Sequence, residues 1–428
     1  MTDTLFVLLD GHVAATITRT RARLELTYTS EHITRRDRTP LSLTMPVTDR
    51  PYGHDVISPW LDGLLPEGEN VRRRWGQQYG VPASSPFALL GTPVGEDCAG
   101  AARFVTEERV EPLLAGEGSV RWLDDVEVGR RLRDLQQDSS AWLGEDNAGR
   151  FSLAGAQSKT AMLYDADEDR WGLPEGAAAT SHIIKPAIRD LEDHGLNEHL
   201  CLRAAAICGI LAAPSQIKDF GGVSAVVVTR YDRAPGEPWL ARIHQEDASQ
   251  ALGVPPARKY QNEGGPSATD IARLLRAALP AADAEIGIWR LFDAMTLNWL
   301  IGGTDAHAKN YSLLLAGNQV ALAPLYDVAS TLPYDWAVER KLRLAMKFGA
   351  DYQLVGRTPS VWDKLAKEFS LPAEQLRARA ADLMDALPLA FDLAVLDDDV
   401  AALGSPLPRR LADAVAQRIE KDCRLALG

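Results

Sequence analysis

Sulfur chemistry is scarce in this chain. Only four cysteines occur in 428 residues, Cys98, Cys201, Cys208 and Cys423, and no two form a C-x-x-C pair. Cys201 and Cys208 lie seven apart on an apparent helix, a rise of about 10.5 Å, too far to bridge. The four read as buried, reduced thiols rather than a disulfide framework. Long apolar runs are missing too. Nothing approaches the roughly 18 uninterrupted residues of a membrane span, and Asp3 stands where a secretory signal would carry positive charge. A cytoplasmic location and no membrane partner are therefore expected. Basic excess is also lacking: the formal charge is −13 and the isoelectric point about 5.2, so contact with DNA would need a partner protein. There is no internal repeat, no low-complexity tract, and no Gly-x-x-x-x-Gly-Lys-[Ser/Thr] phosphate loop. What remains, 46% hydrophobic and 25% charged residues, is the composition of a globular protein long enough for two or three domains.

The most informative stretch present is G-G-T-D-A-H-A-K-N-Y-S-L-L-L-A-G-N-Q-V-A-L-A-P-L-Y-D, from Gly302 to Asp327. Asp305 and Asn310 have the spacing of the catalytic loop H-R-D-x-x-x-x-N of protein kinases. Two apolar runs, Tyr311 to Leu315 and Val320 to Leu325, flank Gly317-Asn318, a hairpin signal that returns Asp327 to Asn310. One carboxylate can then orient a hydroxyl while the amide and the second carboxylate hold magnesium on a nucleotide. The plainer alternative is a turn built of ordinary turn residues.

In chain order, Phe6–Leu9 and Val13–Ile17 flank Asp10-Gly11, a type I′ hairpin signal, and Leu24 to Tyr28 alternates like a third strand. From Pro51 to Gly68 the text is rich in Pro and Gly, with W-L-D-G-L-L-P-E-G at its heart and Arg72, Arg73 and Arg74 after it. A packed loop leading into a solvated helix is expected there, rather than a binding element. A second loop, Gly91 to Gly100, precedes a short strand around Arg103 to Val105, and Arg121 to Leu143 reads as helical.

A β-rich section then begins. Phe151-Ser152-Leu153 leads into Ala154-Gly155-Ala156-Gln157-Ser158-Lys159 and the strand-like Thr160 to Tyr164. The small residues suit either a loop whose backbone N–H groups approach phosphate or an ordinary hairpin. Ser181 to Pro186 places Lys185 after β-branched residues, as the strand lysine of protein kinases is placed. Either an anion partners it or the strand is an edge with its ammonium in water. Leu196, Leu200, Ala204, Ile207 and Leu211 mark an amphipathic helix. Glu198 in its first turn either pairs with Lys185 or serves the helix dipole, and the dipole is preferred. Val223 to Thr229 reads as a buried strand running into Arg230-Tyr231-Asp232-Arg233, where a two-lobed kinase crosses between lobes.

After Pro238 the text is helical almost throughout, apart from the hairpin. Ser267 with Asp270 opens a helix, and Ile286 to Ile301 is apolar on most sides and delivers the chain into the Asp305 loop. Val361 to Leu427 supplies further amphipathic helices, with Asp397 to Asp399 a solvated turn. The expected fold class is α+β, a two-lobed kinase-like fold with a β-rich N-terminal part and a helical C-terminal lobe, divided as 1–110, 111–235 and 236–428.

The text resembles the HipA family, serine/threonine kinase toxins of bacterial toxin–antitoxin modules. The resemblance rests on L-L-P-E-G from Leu64, S-L-A-G-A-Q-S-K-T from Ser152, H-I-I-K-P from His182 and N-E-H from Asn197. It continues in R-Y-D-R from Arg230, H-Q-E-D from His244, K-Y-Q-N-E-G-G-P from Lys259, T-D-A-H-A-K-N from Thr304 and L-Y-D from Leu325. It implies ATP and magnesium as cofactors, Asp305 as catalytic base, and Asn310 and Asp327 as metal ligands. Ala154, Gly155, Ala156, Gln157, Ser158 and Lys159 would form the phosphate loop, with Lys185 on the phosphates. Thr229 and Tyr231 would meet the adenine through their backbone, His307 and Tyr326 would line the nucleotide, and Ser152 would be the autophosphorylation site. It further implies a HipB-like helix-turn-helix antitoxin, operator DNA bound only through that complex, an aminoacyl-tRNA synthetase as substrate, and growth arrest as the outcome. The alternatives are a co-repressor subunit with incidental kinase activity, or a small-molecule kinase. Ser158 stands where the family commonly has an acidic residue, and Tyr231 where Phe is common, so Ser158 puts a second hydroxyl in the loop.

Overall fold

The computed structural model describes residues 3–21, 23–141, 151–155, 157–188 and 191–428. The chain forms two compact units. One comprises Met1–Pro186, Asp219–Ala257 and Leu313–Val320; the other comprises Ala187–Lys218, Arg258–Ser312 and Ala321–Gly428.

The first unit is built on two antiparallel sheets. In one the strand order is Tyr52–Gly53, Arg23–Tyr28, His12–Thr20, Asp3–Leu9, Arg103–Val105. Its first hairpin closes at the Leu9↔His12 pair, with Asp10 at φ 50° and Gly11 at φ 78°. Both central residues are left-handed, as a type I′ turn requires and as Asp and Gly tolerate. In the second sheet Ser224–Thr229, His182–Pro186, Thr160–Asp165, Arg170–Gly176 and Gly118–Leu123 lie side by side in that order. One apolar core joins the sheets: Val7, Leu26, Trp60, Trp75 and Phe104 belong to the same buried cluster as Phe151, Met162, Ile184, Phe220 and Val227.

Several expectations need correction here. His54–Gly63 is a helix rather than a loop, with Ile57, Trp60 and Leu61 buried, so only Leu64 to Gly68 is irregular. Core burial of three large apolar residues on one face outweighs the Pro and Gly content. Arg121 to Leu123 belongs to a strand that ends where the capping box of Asp124 and Glu127 starts the helix Asp125–Gln137. Cys208 is only partly buried, although all four thiols are free.

The first unit also holds a buried ionic cluster. The Asp97 carboxylate accepts hydrogen bonds from Arg233 Nη2 at 2.8 Å, Arg242 Nη2 at 3.2 Å and both the N–H and hydroxyl of Thr180. Arg230 donates to Asp232 at 2.7 and 2.9 Å and to the Cys98 carbonyl at 2.9 Å. Burial by itself would raise the Asp97 carboxyl, but Arg233, Arg242 and Arg230 outweigh it and hold it far below the usual carboxylate range.

The second unit is mainly helical. The capping box at Ser267 and Asp270 starts the helix Ala268–Ala278. Ala281–Ile301 runs through the core, burying Leu291, Phe292, Met295 and Trp299, and Ser360–Phe369, Ala373–Val395 and Leu407–Lys421 also belong to this unit. The fully buried Arg418 guanidinium donates to Trp299 O at 3.2 Å and Leu354 O at 2.8 Å and pairs with Glu339 and Asp422, so it caps the central helix's last turn. Three expectations fail in this unit. Arg343–Phe348 and Asp351–Gln353 form a β-ribbon in text expected to be helical, because Phe348 stacks on Trp299 with ring centroids 4.8 Å apart and tertiary packing overrides the helix propensity of Leu, Ala, Met and Lys. Asp397 and Asp399 are not simply solvated, since Asp397 pairs with Arg203 at 2.6 Å and Asp399 accepts the Ile217 N–H. The helix predicted to reach Leu211 ends at Ile207, before Gly209 at φ 78°. Among the described residues no helix is long and apolar enough to cross a membrane.

Removing one partner from the Asp97 cluster leaves buried guanidinium charge uncompensated, and Asp97→Ala is expected to cost about 3–5 kcal/mol. Since the folded carboxyl titrates well below its unfolded value of about 3.9, this contribution is complete above that pH, starts to fall once pH drops below it, and is fully lost only as pH falls through the folded value. Urea unfolding of both proteins from neutral pH down to about pH 3 checks it: the gap should be widest at neutral pH and shrink on acidification.

Candidate active site

In the second unit the site starts at the end of the central helix. Gly302, at φ 67°, turns the chain out of the helix, and the Gly303 N–H donates to Asn298 O at 2.7 Å. A Cβ on Gly303 would lie 2.3 Å from Asn298 Oδ1, so the turn demands glycine. The loop then folds on itself: His307 N–H donates to Asp305 O at 2.8 Å, Asn310 N–H to His307 O at 2.9 Å, and Ala308 N–H to Lys259 O. Asp305 is exposed while His307 and Asn310 are buried.

The hairpin forms as expected, with strands Ser312–Ala316 and Gln319–Leu322 and Gly317 at φ 58°. Its return brings Asp327 to Asn310, whose amide Nδ2 donates to the Asp327 carbonyl at 3.2 Å. Asp327 itself has φ 57°, a conformation rare outside glycine and tolerated best by Asp and Asn. Tyr326 is pinned through its hydroxyl to Lys309 O and to the Ser312 hydroxyl. After Asp327 the chain locks back onto the helix end, Ser330 Oγ donating to Ile301 O at 2.5 Å and Thr331 Oγ1 to Gly302 O at 2.8 Å. Asn197 fixes the same segment from another helix, its Nδ2 donating to Ser330 O and its Oδ1 accepting the Ser330 N–H. Asp305, His307, Asn310, Tyr326 and Asp327 are thus one hydrogen-bonded constellation.

Sequence reasoning missed Tyr260. Its hydroxyl donates to Asp305 Oδ1 at 2.6 Å and its ring meets His307 edge-on at 5.0 Å. The signal was present, because Tyr260 belongs to the K-Y-Q-N-E-G-G-P motif, but 45 residues separate it from Asp305 and no local pattern joins them.

In the first unit Lys185 lies at 6% exposure, paired with Val226 on a strand flanked on both sides. The edge-strand alternative is therefore overturned. Thr229 pairs with His182 at the end of the neighbouring strand, and the Tyr231 hydroxyl donates to Gln245 Oε1. The loop before Lys159 is no ordinary hairpin. Ser152 bridges in parallel to Cys98, its N–H donating to Asp97 O at 2.8 Å and its Oγ to Leu64 O at 2.9 Å. It is fully buried, so its hydroxyl does not meet solvent. Gly155 has φ 110° and accepts the Glu67 N–H at 3.2 Å, while Lys159 Nζ donates to Ala154 O. Ser158 Oγ donates to Ser139 O at 3.3 Å, Gln157 is half-buried, and Ala156 lies outside the described residues. Glu198, in the second unit, is buried at 1% exposure, which a carboxylate serving only the helix dipole would not need.

A strand lysine, a loop of small residues, and an Asp-x-x-x-x-Asn loop followed by a hairpin and a second Asp are parts of a protein kinase. Comparison with known proteins agrees. The HipA N-terminal domain model matches residues 5–105 and the HipA-like C-terminal domain model matches 151–391. A putative kinase, Y4mE of Sinorhizobium fredii, is 34% identical over 96% of both chains, and the serine/threonine-protein kinase toxin HipA of Shewanella oneidensis is 31% identical over 72% of this chain and 70% of its own. A chain in the solved complex of Shewanella oneidensis MR-1 HipA, HipB and operator DNA superposes with a TM-score of 0.82 at 25% identity, covering 99% of this chain and 98% of that one. The protein belongs to the HipA family, and it is a nucleotide-using serine/threonine protein kinase of the two-lobed α+β class.

Gly303→Ala should force Asn298 and the loop apart, at about 1–3 kcal/mol. Thermal unfolding tests this against Gly53→Ala, where nothing lies within 4 Å and no loss is expected.

Proposed function

We propose that this kinase is the toxin of a toxin–antitoxin module, using magnesium-bound ATP to phosphorylate a cytoplasmic protein, an aminoacyl-tRNA synthetase being the substrate class, and thereby arresting growth. The observation that carries the reading is the Asn310 to Asp327 hydrogen bond, which gathers an amide and a carboxylate at the end of the loop bearing Asp305. These are hard oxygen donors suited to magnesium shared with phosphates, and because Nδ2 is engaged by the Asp327 carbonyl, Oδ1 is the Asn310 atom left to ligate. Bound there, the metal would neutralise charge on the transferring phosphate.

Asp305 takes the proton of the acceptor hydroxyl, and Tyr260 orients its carboxylate through Oδ1. The acceptor oxygen forms a bond to the γ-phosphorus as the bond to the β,γ-bridging oxygen breaks, and ADP leaves with that electron pair. Lys185 and the Ala154 to Lys159 loop hold the phosphates. The Thr229 and Tyr231 backbone meets the adenine, and His307 and Tyr326 line the nucleotide. A HipB-like antitoxin restrains the kinase and carries it to operator DNA, consistent with a chain of net charge −13. Ser152 is the autophosphorylation site. Since its hydroxyl is buried and bonded to Leu64 O, the loop must leave that position to be modified, and a phosphate of about −1.5 to −2 charge would keep it out.

Two measurements test the assignment. Calorimetric titration of ATP should show a magnesium-dependent affinity that Asp327→Ala loses; equal affinities for both proteins with and without magnesium would reject the metal ligand. Asp305→Gln keeps size and hydrogen bonding but removes the proton acceptor, so incubation with Mg-ATP should leave Ser152 unmodified by peptide mass spectrometry and expression should no longer arrest growth. A folded Asp305→Gln protein that still arrests growth would place the toxicity elsewhere.

A further inference from the structure

The L-L-P-E-G segment has no role in the chemistry above, yet it holds the phosphate loop at two points three residues apart. Leu64 O accepts the Ser152 hydroxyl at 2.9 Å, and the Glu67 N–H donates to Gly155 O at 3.2 Å. Both partners on the segment are backbone atoms, so their positions depend on what fixes the backbone. Leu64 and Leu65 are sunk in the core at 1% exposure each. The span between them and the next helix is held by an arginine side chain. Arg72 reaches back from the first turns of Glu69–Tyr79, its Nε donating to Pro66 O at 2.5 Å, Nη1 to Asp62 Oδ1 at 2.5 Å and Nη2 to Asp62 O at 3.4 Å. A forked guanidinium can make those bonds at once, whereas an ammonium cannot match the geometry. Its neighbours do other things: Arg73 reaches only Asn70, and Arg74 pairs with Asp138. At 17% side-chain exposure Arg72 is shielded enough for these bonds to count, with Asp62 at 32%.

We propose that Arg72, with Asp62, is a positioning residue for nucleotide binding: it braces the Leu64–Gly68 segment, whose backbone in turn sets the Ser152–Gly155 part of the phosphate loop. Arg72 touches no nucleotide. Loosening the brace lets Glu67 move and releases the Gly155 carbonyl, leaving the Ser152 end of the loop with one tether fewer, so more of the loop must be ordered when ATP binds. This rests on the kinase reading for its effect on ATP, but the brace itself is visible without nucleotide.

The experiment pairs Mg-ATP titration with hydrogen exchange of peptides spanning 151–155, measured without nucleotide, on wild type, Arg72→Ala, Arg72→Lys and Arg73→Ala. Arg72→Ala should weaken Mg-ATP binding roughly tenfold and speed exchange in 151–155 while the Asp3–Thr20 hairpin keeps its protection. Arg72→Lys should fall between, and Arg73→Ala should match wild type. Should Arg72→Ala fail to fold by circular dichroism, Asp62→Asn decides, with the same loosening expected. Unchanged exchange in a folded variant overturns the proposal, as does faster exchange with wild-type ATP affinity. If wild type itself binds no Mg-ATP, the kinase reading falls instead, and the exchange data still judge the brace.

Discussion

The Asp97 carboxylate is the interaction on which the first unit depends. Its oxygens gather Arg233, Arg242 and Thr180 in a space closed to water, with Arg230 and Asp232 completing the charge balance. Its own carbonyl accepts the Ser152 N–H, so one residue anchors the start of the small-residue loop and, through Arg230 and Arg233, both sides of Tyr231. Taking such a cluster out of water costs several kcal/mol per ion, which hydrogen-bonded pairing has to offset. Its effect is to fix geometry: the Cys98 to Gly100 backbone is bonded by Arg230, Arg233 and Asp232 at once.

The second unit reaches the same end with neutral hydroxyls and one buried guanidinium. Its central helix stops at Gly302, and the last carbonyls are taken up by Ser330, Thr331 and Arg418. Those bonds satisfy groups that a helix end leaves orphaned and also hold the chain after Asp327 against the chain before Asp305. Asn197 repeats the lock from outside. An exposed Asp305 and an exposed Asp327 can then sit on a rigid base, which is what positioning of a reacting group requires.

Local physics decided what the sequence could show. Asp10-Gly11 and Gly317 close hairpins because they tolerate left-handed backbone, and Ser267 with Asp270 caps a helix across three residues. The Asp305 to Asn310 spacing and the return of Asp327 were legible because a hairpin is a short-range object. Lys185 was visible as a lysine among β-branched residues, but not its place on an interior strand, since strand order is set by pairing partners 20 to 47 residues away.

The amino-acid sequence by itself determined the family, the hairpins, the caps and the identity of the chemically competent side chains, all of which depend on residue type over a few positions. Tertiary structure alone decided that Tyr260 meets Asp305, that Ser152 is buried against Leu64 and Asp97, and that Asp97 rather than a catalytic residue gathers three arginines. It also turned 54–63 into a helix and 343–348 into a strand. Each of those outcomes follows from burial and from hydrogen bonds between distant segments, whose free energy exceeds the few tenths of a kcal/mol by which local propensities differ.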